Sequence, residues 1–513
     1  MPNQKTHSLT QKQLEAAILR ERVKGTPDIE IGNKYGVNLR YIERVVTKAK
    51  GVNISAFGSE KKIRTLYPPD FKEEQTTVWS FKSRGSWATH SGEYRGNWSP
   101  YIPRNVILKY TRPGETVLDY FCGAGTTAVE AKLLGRKCIA FDINKDAIKL
   151  ARKNLNFAID SPQLKFIDDR ENLKVYEPQL SVGDARDLSK LSRNSVGLIC
   201  AHPPYANIIA YTHGTKGDLS LCDIDPFLEE MKKVAKESYR VLKPGRQCAI
   251  LIGDTRRKKH VVPLGFMLID IYLKAGFNLR ELVIKRQHNC KTTGFWYANS
   301  IKYNFLLLAH EYLPIFEKPK QKAPAVKEGA EKYGEIFSAT EKHRKEKWRK
   351  EFETTTVWLF PQKDFKKLLD DNVCKRYYRE GGYDIVRLTS SQSATPTARK
   401  KQHNSLVYIK SPVLENGLSK SDVEQYLNKL TSEVGERITG LDKGGYLVVQ
   451  TQDVRIDGFI EPLAKRVFDT IKNDTLSIKE VVVVTTNDNS TQKADGAYLG
   501  ISHKYLLVYQ MKK

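Results

Sequence analysis

Residues 118–127 read Leu118-Asp119-Tyr120-Phe121-Cys122-Gly123-Ala124-Gly125-Thr126-Thr127. An apolar run passes into two glycines one residue apart and then into a stretch with helical spacing, which predicts a strand, a tight turn and a helix. Gly123 and Gly125 have no Cβ, so backbone there can approach a ligand at the carboxyl edge of a parallel sheet. A glycine turn alone is weak evidence. It gains weight from Asp142, which closes the next apolar run (138–142) about 20 residues on, where a carboxylate can accept hydrogen bonds from ribose hydroxyls.

Working outward, apolar strand candidates at 117–121, 138–142, 196–201 and 248–254 alternate with helical stretches at 127–134, 146–157 and 225–242. Two further strands are expected at 279–285 and 303–311. This alternation predicts an α/β fold, a doubly wound parallel sheet with helices on both faces. Directly after the 196–201 strand stands Ala201-His202-Pro203-Pro204-Tyr205. Taken alone, such a tetrapeptide is as well explained as a tight turn. The prolines remove backbone donors and stiffen the turn, so acceptors beside them are preset.

A nicotinamide dinucleotide site would show GxGxxG, whereas here the pattern is Phe121-Cys122-Gly123-Ala124-Gly125-Thr126-Thr127, followed further on by Gly183-Asp184-Ala185. In these motifs the chain resembles the S-adenosylmethionine-dependent methyltransferases with a Rossmann-like sheet, and more narrowly the amino-methyltransferases of DNA, whose pattern is DPFxGSGTT with a later [DNS]PP[YFW]. The resemblance covers about residues 76–312. It implies that Asp119, Phe121, Gly123, Gly125 and Thr127 line the cofactor turn, that Asp142 meets the ribose and Asp184 the adenine, and that residues 98–103 close over the methionine tail. It also implies that His202, Pro203, Pro204 and Tyr205 are catalytic. The residue at the first position and the first proline carbonyl would hold the two N–H bonds of an exocyclic amine, and the aromatic would stack on a flipped base. His202 departs from the family's Asp, Asn or Ser. A neutral imidazole keeps one acceptor nitrogen and a protonated one keeps none, so activity should fall below the His202 pKa. His202 leaves adenine N6 against cytosine N4 undecided.

The rest of the 513 residues carries the remaining expectations. At about 150 residues per domain, the length suggests three or four domains. Lys and Arg (85) exceed Asp and Glu (59) by 26, which points to a polyanionic partner, here double-stranded DNA. Seven cysteines without a CxxC pair argue against a disulfide framework and a zinc site, so no metal is expected. The first residues lack a signal core and no apolar run reaches the roughly 18 residues of a membrane span, which reads as cytoplasmic.

Residues 1–55 read as a helix-turn-helix, with Gly36 at the turn, Asn38 capping the second helix and Arg40, Arg44 and Lys48 facing phosphates. Other expected nucleic-acid contacts are Arg256, in the basic stretch 256–260, and Arg286 and Asn289, in a segment of residue types that read base edges. Residues 70–316 form the methyltransferase domain and 317–350 a basic linker. In 351–513, segments at 354–358, 405–416, 444–454, 461–471, 478–484 and 503–510 echo earlier ones in the same order, which suggests a degenerate methyltransferase repeat or a target-recognition domain. In that copy Lys410-Ser411-Pro412-Val413 stands where His202 to Tyr205 stand, so it is expected to be inert. The expected function is site-specific methylation of an exocyclic amine in DNA, in a restriction-modification context. The alternatives are an RNA base methyltransferase and a DNA-binding regulator with an inactive methyltransferase fold.

Overall fold

The computed structural model describes residues 10–24, 26, 28–37, 41–42, 45, 63–69, 71–92, 94, 96–159, 174–212, 214–288, 294–320, 337–341, 353–389, 403–412, 418–486 and 498–512. Its first sheet is built from β1 (Val78–Ser80), β2 (Thr116–Asp119), β3 (Lys137–Asp142), β4 (Gln179–Val182), β5 (Val196–Ala201), β6 (Leu242–Ile250), β7 (Ile252–Gly253), β10 (Asn278–Arg286) and β11 (His310–Glu317). Between β7 and β10 lies a separate hairpin, β8 (Thr255–Arg257) and β9 (His260–Val262). The strand order is β4-β3-β2-β5-β6-β11-β10-β1, with β11 antiparallel to both neighbours. Every residue of β5 is buried, as expected of a central parallel strand covered on both faces, and this is why it reads as a continuous apolar run. The helix after β3, Lys145–Leu155, starts where the Asn144 side chain accepts the Asp146 N–H at 2.9 Å.

The second sheet comprises β12 (Phe337–Glu341), β13 (Val357–Phe360), β14 (Gly382–Thr389), β15 (Asn404–Lys410), β16 (Leu441–Thr451), β19 (Leu476–Thr486) and β20 (His503–Met511), with a hairpin of β17 (Val454–Ile456) and β18 (Phe459–Glu461). Its path β14-β15-β16-β20-β19-β13 has the same order and strand directions as β2-β5-β6-β11-β10-β1. Where the first sheet continues with parallel β3 and β4, the second, among the described residues, continues with the antiparallel β12. By register Leu198 lies opposite Gln247 and Leu406 opposite Tyr446, which puts Lys410 at the place of His202.

Two sequence expectations need correction. The strand expected at 303–311 is displaced: the extended pairing runs from His310 to Glu317, while Leu307 bridges to Thr355 of the second sheet. Residues 305–309 are apolar because Phe305, Leu306, Leu307 and Ala309 are buried where the halves meet. The stretch 317–350 also contains β12, whose sequence Phe337-Ser338-Ala339-Thr340-Glu341 has too short an apolar pattern to announce an edge strand.

The halves exchange equivalent contacts. Thr77 N donates to Gly500 O (3.0 Å), and in return Thr356 N donates to Leu307 O (2.9 Å). The Thr77 hydroxyl meets His503 Nδ1 at 2.8 Å, and the Thr356 hydroxyl meets His310 Nδ1 at 2.9 Å. Arg256 pairs with Glu480 (2.5 Å) and Arg455 with Glu281 (2.6 Å), and both carboxylates are at most 1% exposed. Glu480 also accepts the Leu306 N–H and Glu281 the Leu499 N–H, at 3.0 and 3.1 Å. The apolar core runs through the join, where Phe266 packs against Phe468 and Tyr505.

At the N-terminus, helices Gln11–Val23 and Asp28–Tyr35 pack through Ile18 and Ile31, together with Ile42 and Val45. Gly36 has φ +64°, the left-handed conformation that a chain reversal there requires. Asn38, Arg40, Arg44 and Lys48 lie outside the described residues. No helix among the described residues is long and apolar enough to cross a membrane.

Removing one partner of a buried pair leaves an uncompensated charge. Arg455→Ala, which strands Glu281, is therefore expected to lower unfolding free energy by about 3–5 kcal/mol. Arg455→Met combined with Glu281→Leu should recover most of that loss. Urea unfolding of the three chains at neutral pH checks this, and an additive double variant would contradict it.

Candidate functional site

The site forms at the carboxyl edge of the first sheet, where β2, β3 and β5 end beside one another. After β2 the chain turns through Gly123 (φ +49°) and Gly125 (φ +84°), and Gly125 caps the helix Thr126–Leu133. A Cβ on Gly123 would lie 3.1 Å from the Tyr94 ring, so the glycine keeps this wall of the site open. Asp142 closes β3 with one carboxylate oxygen accepting the Gly123 N–H (3.0 Å) and the other the Asn144 N–H (2.9 Å). Desolvation pushes its pKa up to about 6, against these two hydrogen bonds. Each oxygen retains acceptor capacity, which suits a vicinal diol.

A cleft of about 690 Å³, counted to its open mouth, joins this turn to the end of β5. Phe121, Gly123, Asp142, Asp184, His202 and Pro204 all line it. Asp119, Gly125 and Thr127 lie behind the wall. Asp119 is 1% exposed, accepts the Phe121 N–H at 3.0 Å and is pushed up to about 7 by burial. Gly125 approaches Ala151 of the next helix. Asp184 lies at the cleft, but its carboxylate is held by Arg186. Burial raises its pKa, and the Arg186 hydrogen bonds and charge lower it by more.

His202 stacks on Trp98, with centroids 5.5 Å apart and planes 20° apart. The Trp98 segment is itself fixed: Arg84 donates to the carbonyls of Asn97 (2.6 Å) and Trp98 (2.7 Å), and Thr126 Oγ1 donates to Asn97 Oδ1 (2.6 Å). On the other side His202 Nε2 meets Tyr205 Oη at 2.8 Å, Tyr205 donates to Glu311 Oε1 at 2.7 Å, and Lys285 Nζ donates to Glu311 Oε2 at 2.8 Å. Burial would raise the Glu311 pKa, but the Lys285 ammonium, with the hydrogen bonds from Lys285 and Tyr205, holds it down at about 2.

This relay orients His202. An ionised Glu311 can only accept, so the Tyr205 proton points to it, and Tyr205 Oη must accept from His202. The proton on His202 therefore sits on Nε2, and Nδ1 keeps its lone pair. Desolvation, with Lys285 and Arg84 adding to it and Glu311 opposing it, lowers the His202 pKa to about 4, so the ring is neutral at physiological pH. The residue that departs from the expected pattern thus keeps one acceptor nitrogen, Nδ1. The Tyr205 hydroxyl is committed to His202 and Glu311.

Of the expected nucleic-acid contacts, Arg256 and Arg286 lie among the described residues. Arg256 binds Glu480 and the carbonyls of Leu306, Lys259 and Lys479, so its guanidinium is occupied within the protein. Arg286 ends β10, whereas Asn289 lies outside the described residues. Glu311 and Lys285 had no local signal: Glu311 lies 106 residues beyond Tyr205, and pairing of β11 with β7 sets it opposite Gly253 beside the Tyr205 ring, while pairing with β10 sets it opposite Lys285. Tyr94 and Tyr211 stack 6.0 Å apart beside the glycine turn and were likewise not anticipated.

These features fit S-adenosylmethionine: a carboxylate with spare acceptor capacity for a ribose diol, and a turn where a Cβ on Gly123 would press on the Tyr94 ring at the cleft wall. A Cβ on Gly183 would likewise come within 3.0 Å of the Phe141 ring beside Asp184.

Comparison with known proteins is consistent with this geometry. The DNA methylase family profile matches residues 40–153 and 196–406, and the RMKL-like methyltransferase domain profile matches 106–255. The chain is 34% identical over 98 residues to the type II methyltransferase M2.DpnII of Streptococcus pneumoniae, covering 18% of this chain and 37% of that one. It is 29% identical over 154 residues to M.MthZI of Methanothermobacter thermautotrophicus, covering 26% and 43%. The chain thus spans less than half the length of these relatives. A solved S-adenosylmethionine-dependent methyltransferase from Methanosarcina mazei aligns at 17% identity and a TM-score of 0.28, over 42% of this chain and 97% of that one.

Imidazole ¹⁵N spectra of the full chain, with His202 assigned by difference from His202→Asn, should show a neutral Nε2–H ring from pH 8 to about 5, titrating near 4. Glu311→Gln, which can donate to Tyr205, should shift the ring toward the Nδ1–H form. A His202 signal titrating near the ordinary value of about 6.5 would contradict the assignment.

Proposed function

The chain belongs to the DNA methylase family, and on that premise we propose that it transfers a methyl group from S-adenosyl-L-methionine to an exocyclic amine, adenine N6 or cytosine N4, of a base flipped out of double-stranded DNA. We place it in the cytoplasm, as the site-specific modification enzyme of a restriction-modification pair. The observation that carries this reading is the single cleft shared by Asp142, the Gly123 turn and a neutral His202.

Bound S-adenosylmethionine supplies a methyl carbon made electrophilic by its sulfonium sulfur. The task of the chain is to present an amine whose lone pair is otherwise delocalised into the base. Two preset acceptors, His202 Nδ1 and the Pro203 carbonyl, take one N–H each and draw the nitrogen toward tetrahedral geometry. Trp98 fixes the imidazole plane and the Tyr205–Glu311–Lys285 relay fixes its proton, so no reorganisation is needed at the moment of reaction. The surplus proton on the methylated nitrogen passes to His202 Nδ1, since a base amine protonated on its exocyclic nitrogen is a stronger acid than the imidazolium even with His202 lowered to about 4, and from there to water at the cleft mouth. Asp142 holds the ribose, and Asp184, steadied by Arg186, borders the adenine.

Residues 351–513 complete the reading as a degenerate copy. The place of His202 is taken by Lys410, which is bound to Asp370 at 2.6 Å, so the acceptor is replaced by a cation. We assign this half a scaffolding and target-recognition role, and the N-terminal helices, as a helix-turn-helix, a role in gripping duplex DNA.

Transfer of tritiated methyl groups to duplex DNA is the test. His202→Ala should lower kcat by at least about 10²-fold, as expected for removing one preorganised hydrogen-bonding group. Asp142→Ala should act mainly on the KM for the cofactor. Asp142 is ionised only above about pH 6, so cofactor affinity in the parent chain should weaken as pH falls through 6, while His202 stays neutral to about 4. Label in RNA but not DNA, or full activity in His202→Ala, would overturn the reading.

A further inference from the structure

The hairpin between β8 and β9 turns through Lys258 (φ +47°) and Lys259 (φ +69°). Two consecutive left-handed residues between strands are the geometry of a type I′ turn, which strongly prefers Asn-Gly or Asp-Gly because side-chain-bearing residues are strained there. The second half provides an internal control. Its hairpin, β17–β18, turns through Asp457 (φ +52°) and Gly458 (φ +80°), the unstrained choice for the same turn. In both halves an arginine clamps the tip: Arg256 donates to Lys259 O (3.0 Å) and Arg455 to Gly458 O (3.1 Å). The two turns thus share one scaffold, and only the one beside the catalytic motif carries a pair of lysines in a conformation lysine disfavours. Strain retained beside an active site indicates a use.

The position of the tip indicates what that use is. Arg257 donates to Asn207 Oδ1 at 2.7 Å, tying the hairpin to the residues just after Tyr205. Both tip lysines are exposed, and Lys259 Nζ lies 4.2 Å from the centroid of the Tyr303 ring, with Lys302 Nζ 5.3 Å from the same ring. Tyr303 (41% exposed), Ile301 (49%) and Tyr297 (38%) extend this surface along the helix Gly294–Lys302. Cations interleaved with exposed aromatic side chains suit a polyanion whose bases can be stacked upon.

We propose that the Lys258–Lys259 tip is a phosphate clamp that grips the backbone of duplex DNA beside the flipped base. The clamp rests on the reading of the chain as a DNA methylase and adds where the substrate is held. Arg256 acts in it as a positioning residue. It fixes the tip carbonyl and is itself braced by Glu480 of the second half, so the inert half supports the clamp of the active one.

Fluorescence anisotropy of a labelled duplex with the full chain, without cofactor, across a KCl series tests this. The double variant Lys258→Asn, Lys259→Gly removes both charges and installs the dipeptide the turn prefers, so its melting temperature should be unchanged or higher. Its duplex affinity should fall about tenfold near 0.1 M salt, and the slope of log K against log salt should shrink by about 2, close to one unit per lost phosphate contact. The exposed Lys190 and Lys243, which precede β5 and open β6 at the opposite edge of the sheet, serve as the charge control, and changing both to Asn should leave the slope as it was. An unchanged slope in the tip variant would overturn the clamp. So would an equal loss in the control, or a loss seen with an RNA hairpin and not with duplex DNA. Because binding is read without methyl transfer, a parent chain that binds through the tip yet never methylates would overturn the proposed function and leave the clamp standing.

Discussion

Two buried carboxylates, Glu281 and Glu480, sit between the two sheets with 0% and 1% exposure. A buried carboxylate calls for a partner charge, and each takes its partner from the opposite half. The consequence reaches well beyond stability. Arg256, drawn toward Glu480, closes the turn of the β8–β9 hairpin, and that hairpin is tied through Arg257 to Asn207, just after the His202–Tyr205 segment. The halves are therefore coupled at the hairpin that holds the segment after Tyr205.

Within the cleft the governing constraint is the protonation state of one imidazole. Had His202 kept its ordinary pKa, part of it would be cationic near neutrality and would repel an amine that needs acceptors. Desolvation removes that form. The Lys285–Glu311–Tyr205 relay then chooses between the two neutral tautomers, so that the nitrogen facing the relay donates and the other keeps its lone pair. An aspartate or asparagine would present a side-chain oxygen acceptor without a relay. The histidine requires supporting residues, and they come from strands distant in sequence.

Those distances explain what the sequence made legible. The glycine turn, Asp142 and the β5 strand were readable because each is a local pattern whose period or spacing reports its geometry. The order of echoes in the second half was readable because the two sheets share strand order and direction. Glu311, Lys285 and the stacking of Trp98 on His202 were not, since tertiary pairing alone brings them to the motif. Arg256 shows the opposite failure. Its basic neighbourhood suggested phosphate, while its actual partner, Glu480, lies 224 residues away. The adjacent lysines are the exposed cations of that stretch, and only their backbone angles, set beside those of Asp457 and Gly458, single them out.

The central claim is that a histidine-led motif methylates an exocyclic amine in DNA. Its most direct measurement is methylation-sensitive sequencing of genomic DNA from cells expressing the parent chain, beside cells expressing His202→Ala. The account predicts N6-methyladenine or N4-methylcytosine confined to one short recognition sequence and lost in the variant. Genomic DNA that carries no methylated exocyclic amine, or carries it equally in both, would contradict it.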